Sequence, residues 1–280
     1  MIRRTKAVYR KSAALLAAGL LIALLAGGCS SSRETASMSV EKRFELGMKK
    51  FNDGDYPEAY DDFRIVTLQY QGSAFADQAQ YNMGECRYKQ EQYVLAAYEY
   101  DALIRTMPSS KFASKARYQR AMCYYKLSPP SYLDQQHTKQ AIDEFQSFIE
   151  YSPTDPLVPD AEANIAALND KLAKKEFESG MIYMKMQYYR SAALYFDTVL
   201  EKYYDTPYAD QALLRKAEAL YQRNRFKEAR AELDKFLAKY PKSSYHKEAE
   251  ELRSQIQSKL SQSTGNVQKD SIGSAGHASR

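Results

Sequence analysis

The chain has 280 residues, 44% of them hydrophobic and 27% charged, with 40 Lys and Arg against 35 Asp and Glu. The excess of five positive charges sits wholly in Arg3, Arg4, Lys6, Arg10 and Lys11. The remainder balances at 35 basic and 35 acidic residues, which excludes recruitment of nucleic acid or an anionic membrane by global charge. Those five basic residues precede sixteen small or apolar ones, Ala13 to Gly28. A bilayer span needs about 20 residues, so residues 1–28 read as an export signal rather than a transmembrane helix.

The apolar run ends in Leu25-Ala26-Gly27-Gly28-Cys29, which resembles the lipobox of bacterial lipoproteins. The resemblance implies cleavage before Cys29 and lipidation of that cysteine. Ser30 follows where Asp would favour retention in the inner membrane, so an outer-membrane anchor facing the periplasm is the expectation. Residues 29–39 then form a short polar, lipidated tether.

From here a 37-residue ruler organises the chain. Starting at Gly47 it lands on Tyr56, Ala59, Phe63, Tyr70 and Ala79. From Gly84 it lands on Tyr93, Ala96, Tyr100, Met107 and Ala116, and from Ala121, with eight residues inserted around Ser128 to Gln135, on Ala141, Phe145, Ser152 and Ala161. From Gly180 it meets Tyr189, Ala192, Phe196, Tyr203 and Ala212, and from Ala217 it meets Phe226, Ala229, Leu233, Tyr240 and Ala249. Helices approach closely only where side chains are small, so a small residue at the crossing and an aromatic in the groove beside it is what stacked helical hairpins require. The order of small residue, Ala, Phe and Pro resembles the tetratricopeptide repeat with three extra residues, although Trp is absent and Gln71 and Tyr204 stand where Pro is expected.

The ruler predicts helix pairs near 40–52 with 56–70, 74–90 with 93–107, 111–127 with 135–151, a long helix with 189–204, and 208–223 with 226–239. Asp55 is placed to cap the second helix. Between Ala161 and Gly180 lie fourteen residues beyond the usual spacing, without Gly or Pro, which predicts one helix over about 159–186 joining two arms. A last helix near 244–260, with Leu252, Ile256 and Leu260 on one face, reads as the cap of the stack. The expected fold is therefore all-α: a superhelical solenoid of five tetratricopeptide-like hairpins plus a capping helix over 40–260, with a disordered tail over 261–280.

Chemistry-bearing residues are few. His137, His246 and His277 accompany no nucleophile in a recognisable context, no CxxC or HExxH occurs, and the glycines form no phosphate loop, so no catalytic residue, metal site or cofactor is expected. Cys86 and Cys123 stand one repeat apart, on neighbouring helices too distant for a disulfide, and are expected as free buried thiols. Tyr81, Tyr118 and Phe177, three before the small position, and Phe51, Tyr88, Tyr125 and Tyr221, four after it, belong to the packing face. Positions six before, one after and five after should face a groove. They are Gln78, Glu85 and Lys89 in the second repeat and Lys115, Met122 and Lys126 in the third, a mix suited to an extended peptide.

The lipobox, the five repeats, Tyr240-Pro241-Lys242-Ser243, the related Tyr151-Ser152-Pro153-Thr154 and the long helix with Leu168, Leu172, Ala173 and Glu176 together resemble the BamD family of outer-membrane β-barrel assembly lipoproteins. The resemblance covers Cys29 to about Leu260. It implies a non-enzymatic, lipid-anchored scaffold. Unfolded outer-membrane β-barrel precursors would bind the N-terminal repeats, and the periplasmic domains of the barrel insertase the C-terminal ones, with no nucleic-acid partner. The competing reading is a periplasmic repeat adaptor of the Tol cell-envelope division machinery, but that family usually carries a coiled coil and no lipobox, and heptads are absent here.

Overall fold

A computed structural model describes the chain from residue 38 to residue 275, with side chains described through residue 262. Cys29 and the leader lie outside the described residues. Among those described, eleven helices and no strand occur. They are α1 (Val40–Asp53), α2 (Tyr56–Gln69), α3 (Ala76–Lys89), α4 (Tyr93–Thr106), α5 (Ala113–Leu127), α6 (Gln136–Tyr151), α7 (Val158–Lys185), α8 (Tyr189–Lys202), α9 (Ala209–Gln222), α10 (Phe226–Lys239) and α11 (His246–Ala275). The chain divides into two compact units at Phe112 and Ala113. In the first, α1 packs on α2, α2 on α3 and α3 on α4; in the second, each helix from α5 to α11 packs on the next. The fold is all-α and built of helical hairpins.

The small positions exist to admit a ring. A Cβ at Gly84 would lie 2.5 Å from Cε1 of Tyr100, one at Gly180 2.5 Å from Cε1 of Phe196, and one at Gly47 2.9 Å from Cε1 of Phe63. Each of these rings is fully buried, as is the second alanine of each hairpin. Within hairpins, the turn residue seven beyond the small position adopts a left-handed backbone: Gly54 at φ 87°, Glu91 at 59°, Gln187 at 62° and Asn224 at 58°. Only the third repeat, with its inserted loop, escapes this geometry. Asp55 sits at the N-cap of α2 but its side chain makes no capping bond; Pro57 in the first turn, with its preset φ, starts the helix instead.

Between hairpins one turn recurs. The N–H groups of Ser73, Ser110, Asp155, Thr206 and Ser243 bond the carbonyls of Tyr70, Met107, Ser152, Tyr203 and Tyr240 at 2.9–3.2 Å. Pro108, Pro153 and Pro241 occupy the second residue of these turns, where their fixed φ is favourable. Gln71 and Tyr204 complete the same hydrogen bond without it, which accounts for the missing prolines.

α7 is the exceptional element, 28 residues long and lying entirely in the second unit. Its N-terminal part contributes Ala161 and Leu168 to a core with Phe145 and Phe148. Its C-terminal part contributes Ala173 to a core with Ala192, Phe196 and Val199. The tail departs from expectation, since α11 continues in the backbone to Ala275 rather than ending near 260. No proline interrupts this stretch, and extending a helix already anchored by Leu252 and Ile256 requires no new nucleus.

Candidate peptide-binding surface

In the first unit, Gln78 opens α3 half-buried, and its backbone N–H donates to Oδ1 of Asp77 at 2.7 Å. Lys89 is exposed in the last turn of the same helix. Glu85 is not a bare carboxylate: its Oε1 accepts from the hydroxyls of Tyr81 and Tyr100, both at 2.7 Å. In the second unit Lys115 and Lys126 are exposed near the two ends of α5. Met122, half-buried, packs against the cluster around Phe145, and its sulfur faces the amide of Asn164 at 3.7 Å. Met48 meets Asn82 in the same way, at 3.1 Å. The position one after the small residue therefore lies at the seam between a hairpin and its successor, which is why Met recurs there.

Polar chemistry not anticipated from the sequence lies one residue before the ring in the first three repeats and before Leu233 in the fifth. Asp62 accepts from Arg43 at 2.9 Å and from Lys50 at 2.6 Å, its side chain only 4% exposed. Glu99 accepts from Tyr60 at 2.7 Å and Gln80 at 2.8 Å. Glu144 pairs with Arg120 at 2.5 Å and Glu232 with Lys216 at 3.1 Å. Burial works against the Lys216 ammonium, but bonds to Asp197 and Glu232 outweigh it and raise its pKa. Only the fourth repeat lacks the acid: Tyr195 stands there, stacked on Tyr183 at 5.2 Å between centroids. An acidic residue fifteen beyond the small position was visible in the sequence and is the signal that would have found this polar seam.

The eight-residue insertion is likewise a built feature. Buried Gln135 ties it together, its Nε2 donating to the carbonyls of Pro130 at 2.8 Å and Leu133 at 3.0 Å. The loop lies on α7, where Lys171 donates to Oγ of Ser128 at 2.7 Å and Lys175 to the carbonyl of Leu133 at 2.7 Å. Ser131 donates to Glu178 at 3.3 Å. The inserted loop and the extra turns of α7 thus pack on one another. Further along, α8, α9 and α10 frame an open groove of about 590 Å³ lined by Leu200, Leu213 and Ala238 and by charges of both signs, Asp197, Glu201 and Glu232 with Lys216, Lys235 and Lys239. Among the described residues no group of His, Cys, Asp and Glu is arranged to hold a metal ion, and no helix is long and apolar enough to cross a membrane.

Hairpins closed on a glycine or alanine and stacked through recurrent turns define a helical-repeat protein of the tetratricopeptide kind. The family model described as YfiO, outer membrane lipoprotein, matches residues 36–232, and the chain belongs to that family. Among curated relatives it is 26% identical to the outer membrane protein assembly factor BamD of Caulobacter vibrioides, over 76% of this chain and 71% of that one. It is also 26% identical to the BamD of Rickettsia prowazekii, over 83% and 93%, and to that of Haemophilus influenzae, over 75% and 82%. Similar solved structures include the TPR2AB domain of yeast Sti1 in its pHSP90 complex, with a TM-score of 0.41 and 17% identity over 81% of this chain and 86% of that one. A TPR repeats protein from Bacteroides fragilis has a TM-score of 0.42 and 14% identity over 79% and 99%.

Proposed function

We propose that this protein is a non-enzymatic scaffold for the assembly of β-barrel proteins into the outer membrane, held at the periplasmic face of that membrane by a lipid on Cys29. The observation that carries the reading is the family match over residues 36–232, together with relatives named as outer membrane protein assembly factors. The Tol-linked adaptor gains no support from either.

In this reading unfolded barrel precursors bind two surfaces, one bearing Gln78, Glu85 and Lys89 in the first unit and one bearing Lys115, Met122 and Lys126 in the second. An extended precursor segment lacks partners for its backbone, and the exposed lysines and the half-buried amide of Gln78 offer them. The barrel insertase binds the second unit, whose groove on α8, α9 and α10 combines apolar side chains with charges of both signs. Photo-crosslinkers at the exposed Lys89 and Lys126 are expected to capture barrel precursors during export, and one at Lys239 the insertase. Capture of Tol components at these positions, with no barrel precursor at either of the first two, would overturn the reading.

A further inference from the structure

Repeat periodicity also exposes a face that lacks its cover. The position two beyond the small residue is where the first helix of a hairpin meets the second helix of the hairpin before it. Cys86 and Ala219 occupy it in the second and fifth repeats, each fully buried. Cys86 lies in one core with Phe63 and Val66 of α2, and Ala219 in one core with Val199 of α8. The first repeat has no predecessor, and there the position is an exposed lysine, Lys49, with exposed Asp53 one turn on, as the polar end of a stack requires. In the fourth repeat it is Ile182, 56% exposed, followed one turn later by Met186 at 55%.

The reason lies in α7. Lys171, Lys175, Glu178, Ile182 and Met186 are spaced by three and four residues and form one stripe. The inserted loop covers its upper part through Ser128, Leu133 and Ser131. Below Glu178 the stripe is bare and turns apolar, beside a loop tip where Tyr132 is 75% and Leu133 48% exposed. The long helix has carried the fourth repeat away from the hairpin that would otherwise stack there.

We propose that the stripe of Ile182 and Met186 docks an amphipathic helix of a partner protein, which takes the place of the missing second helix of a preceding hairpin. Its chemistry follows from its neighbours. The covering helices within the chain place aliphatic side chains in the same cores, Val66 with Cys86 and Val199 with Ala219, so the partner helix presents an aliphatic stripe at three- and four-residue spacing. Connected helices in these hairpins run antiparallel, which sets the partner's first turn beside the end of α7. Exposed Lys185 stands there and exposed Arg190 opens α8, so that first turn is acidic, where carboxylates also suit the helix dipole. This inference concerns stacking alone and does not depend on which machinery the partner serves.

The test places a photo-crosslinking amino acid at Ile182, at Met186 and, as comparison, at Lys49 in the full-length protein in cells, and maps the linked residues on the partner. Ile182 and Met186 are expected to link to residues three or four apart on one helix with an acidic first turn, whereas Lys49 gives no such product. Met186→Lys should reduce the Ile182 product at least tenfold with the melting temperature unchanged, since Met186 is 55% exposed and belongs to no core cluster. No product, products scattered over an extended segment, a linked helix with a basic first turn, or links to a second copy of this chain would each overturn the proposal.

Discussion

At the scale of single residues, the recurrent small position is the clearest link between sequence and packing. Gly84 and Gly180 would press a Cβ to 2.5 Å from buried rings, and Gly47 to 2.9 Å. A helical glycine replaced by alanine ordinarily gains about 1 kcal/mol, but overpacking costs about 1–3 kcal/mol. Tyr100 cannot yield easily, because its hydroxyl is bonded to Glu85. Gly84→Ala and Gly180→Ala should therefore destabilise, with lowered urea midpoints, and more so than Gly47→Ala; equal midpoints for all three would refute this ordering.

Cys86 offers a second residue-level check. Burial first, and then the neighbouring Glu85, pushes its thiol up to about 12 from an ordinary 9.0. The folded state thus keeps a proton that the unfolded state sheds. Stability is fully present below pH 9 and falls between about 9 and 12, by roughly 1 kcal/mol per pH unit for one proton. Alkaline denaturation of Cys86→Ala should be shallower over that window. Maleimide should label Cys86 and Cys123 only after unfolding; rapid labelling of the native protein would contradict their burial.

Elements show what the sequence made legible and what it hid. Small, aromatic and turn positions follow a fixed spacing because backbone geometry repeats, so the helices and their pairing could be read directly. Partners reaching between helices change residue type and register from one pair of repeats to the next. The acid of the seam is met from four before the small position by Arg43 and Gln80 but from one before it by Arg120 and Lys216, with Lys50 and Tyr60 adding bonds from elsewhere. The inserted loop was legible as a break in the ruler, but its seat on Lys171 and Lys175 was not, since the contact spans more than forty residues. For the groove, exposed Lys89, Lys115 and Lys126 were placed by period alone, whereas the tyrosine clamp on Glu85 depends on ring reach. The seam carries its own prediction. Removing one member of a buried ion pair strands the other at a cost of about 3–5 kcal/mol, while replacing both by apolar residues is often neutral. Asp62→Ala should lower the melting temperature sharply, with partly exposed Lys50 softening the loss, and Arg43→Met combined with Asp62→Leu should restore most of it. A double variant no better than Asp62→Ala would show that the seam does more than pair charge.

At the scale of the whole molecule, α7 determines how one part of the second unit is placed against the next. It belongs to two cores at once, through Ala161 and Leu168 at one end and Ala173 at the other, and no Gly or Pro softens it between Asp160 and Ser179. Under the scaffold proposal, precursor and insertase must be held at a fixed separation, and an uninterrupted helix is the element suited to that. Lys174→Pro tests it. Proline in a helix interior removes a hydrogen bond and clashes with the preceding turn, at about 3 kcal/mol or more, and bends the helix. Lys174 is exposed and outside both cores, so the hairpins on either side keep their packing while their relative placement changes. The variant should retain binding to isolated precursor and to isolated insertase, yet support markedly lower levels of assembled barrels in cells that carry no other copy. Normal barrel levels, with the bend confirmed by solution scattering, would remove α7 from the mechanism and leave it a connector between two independently acting surfaces.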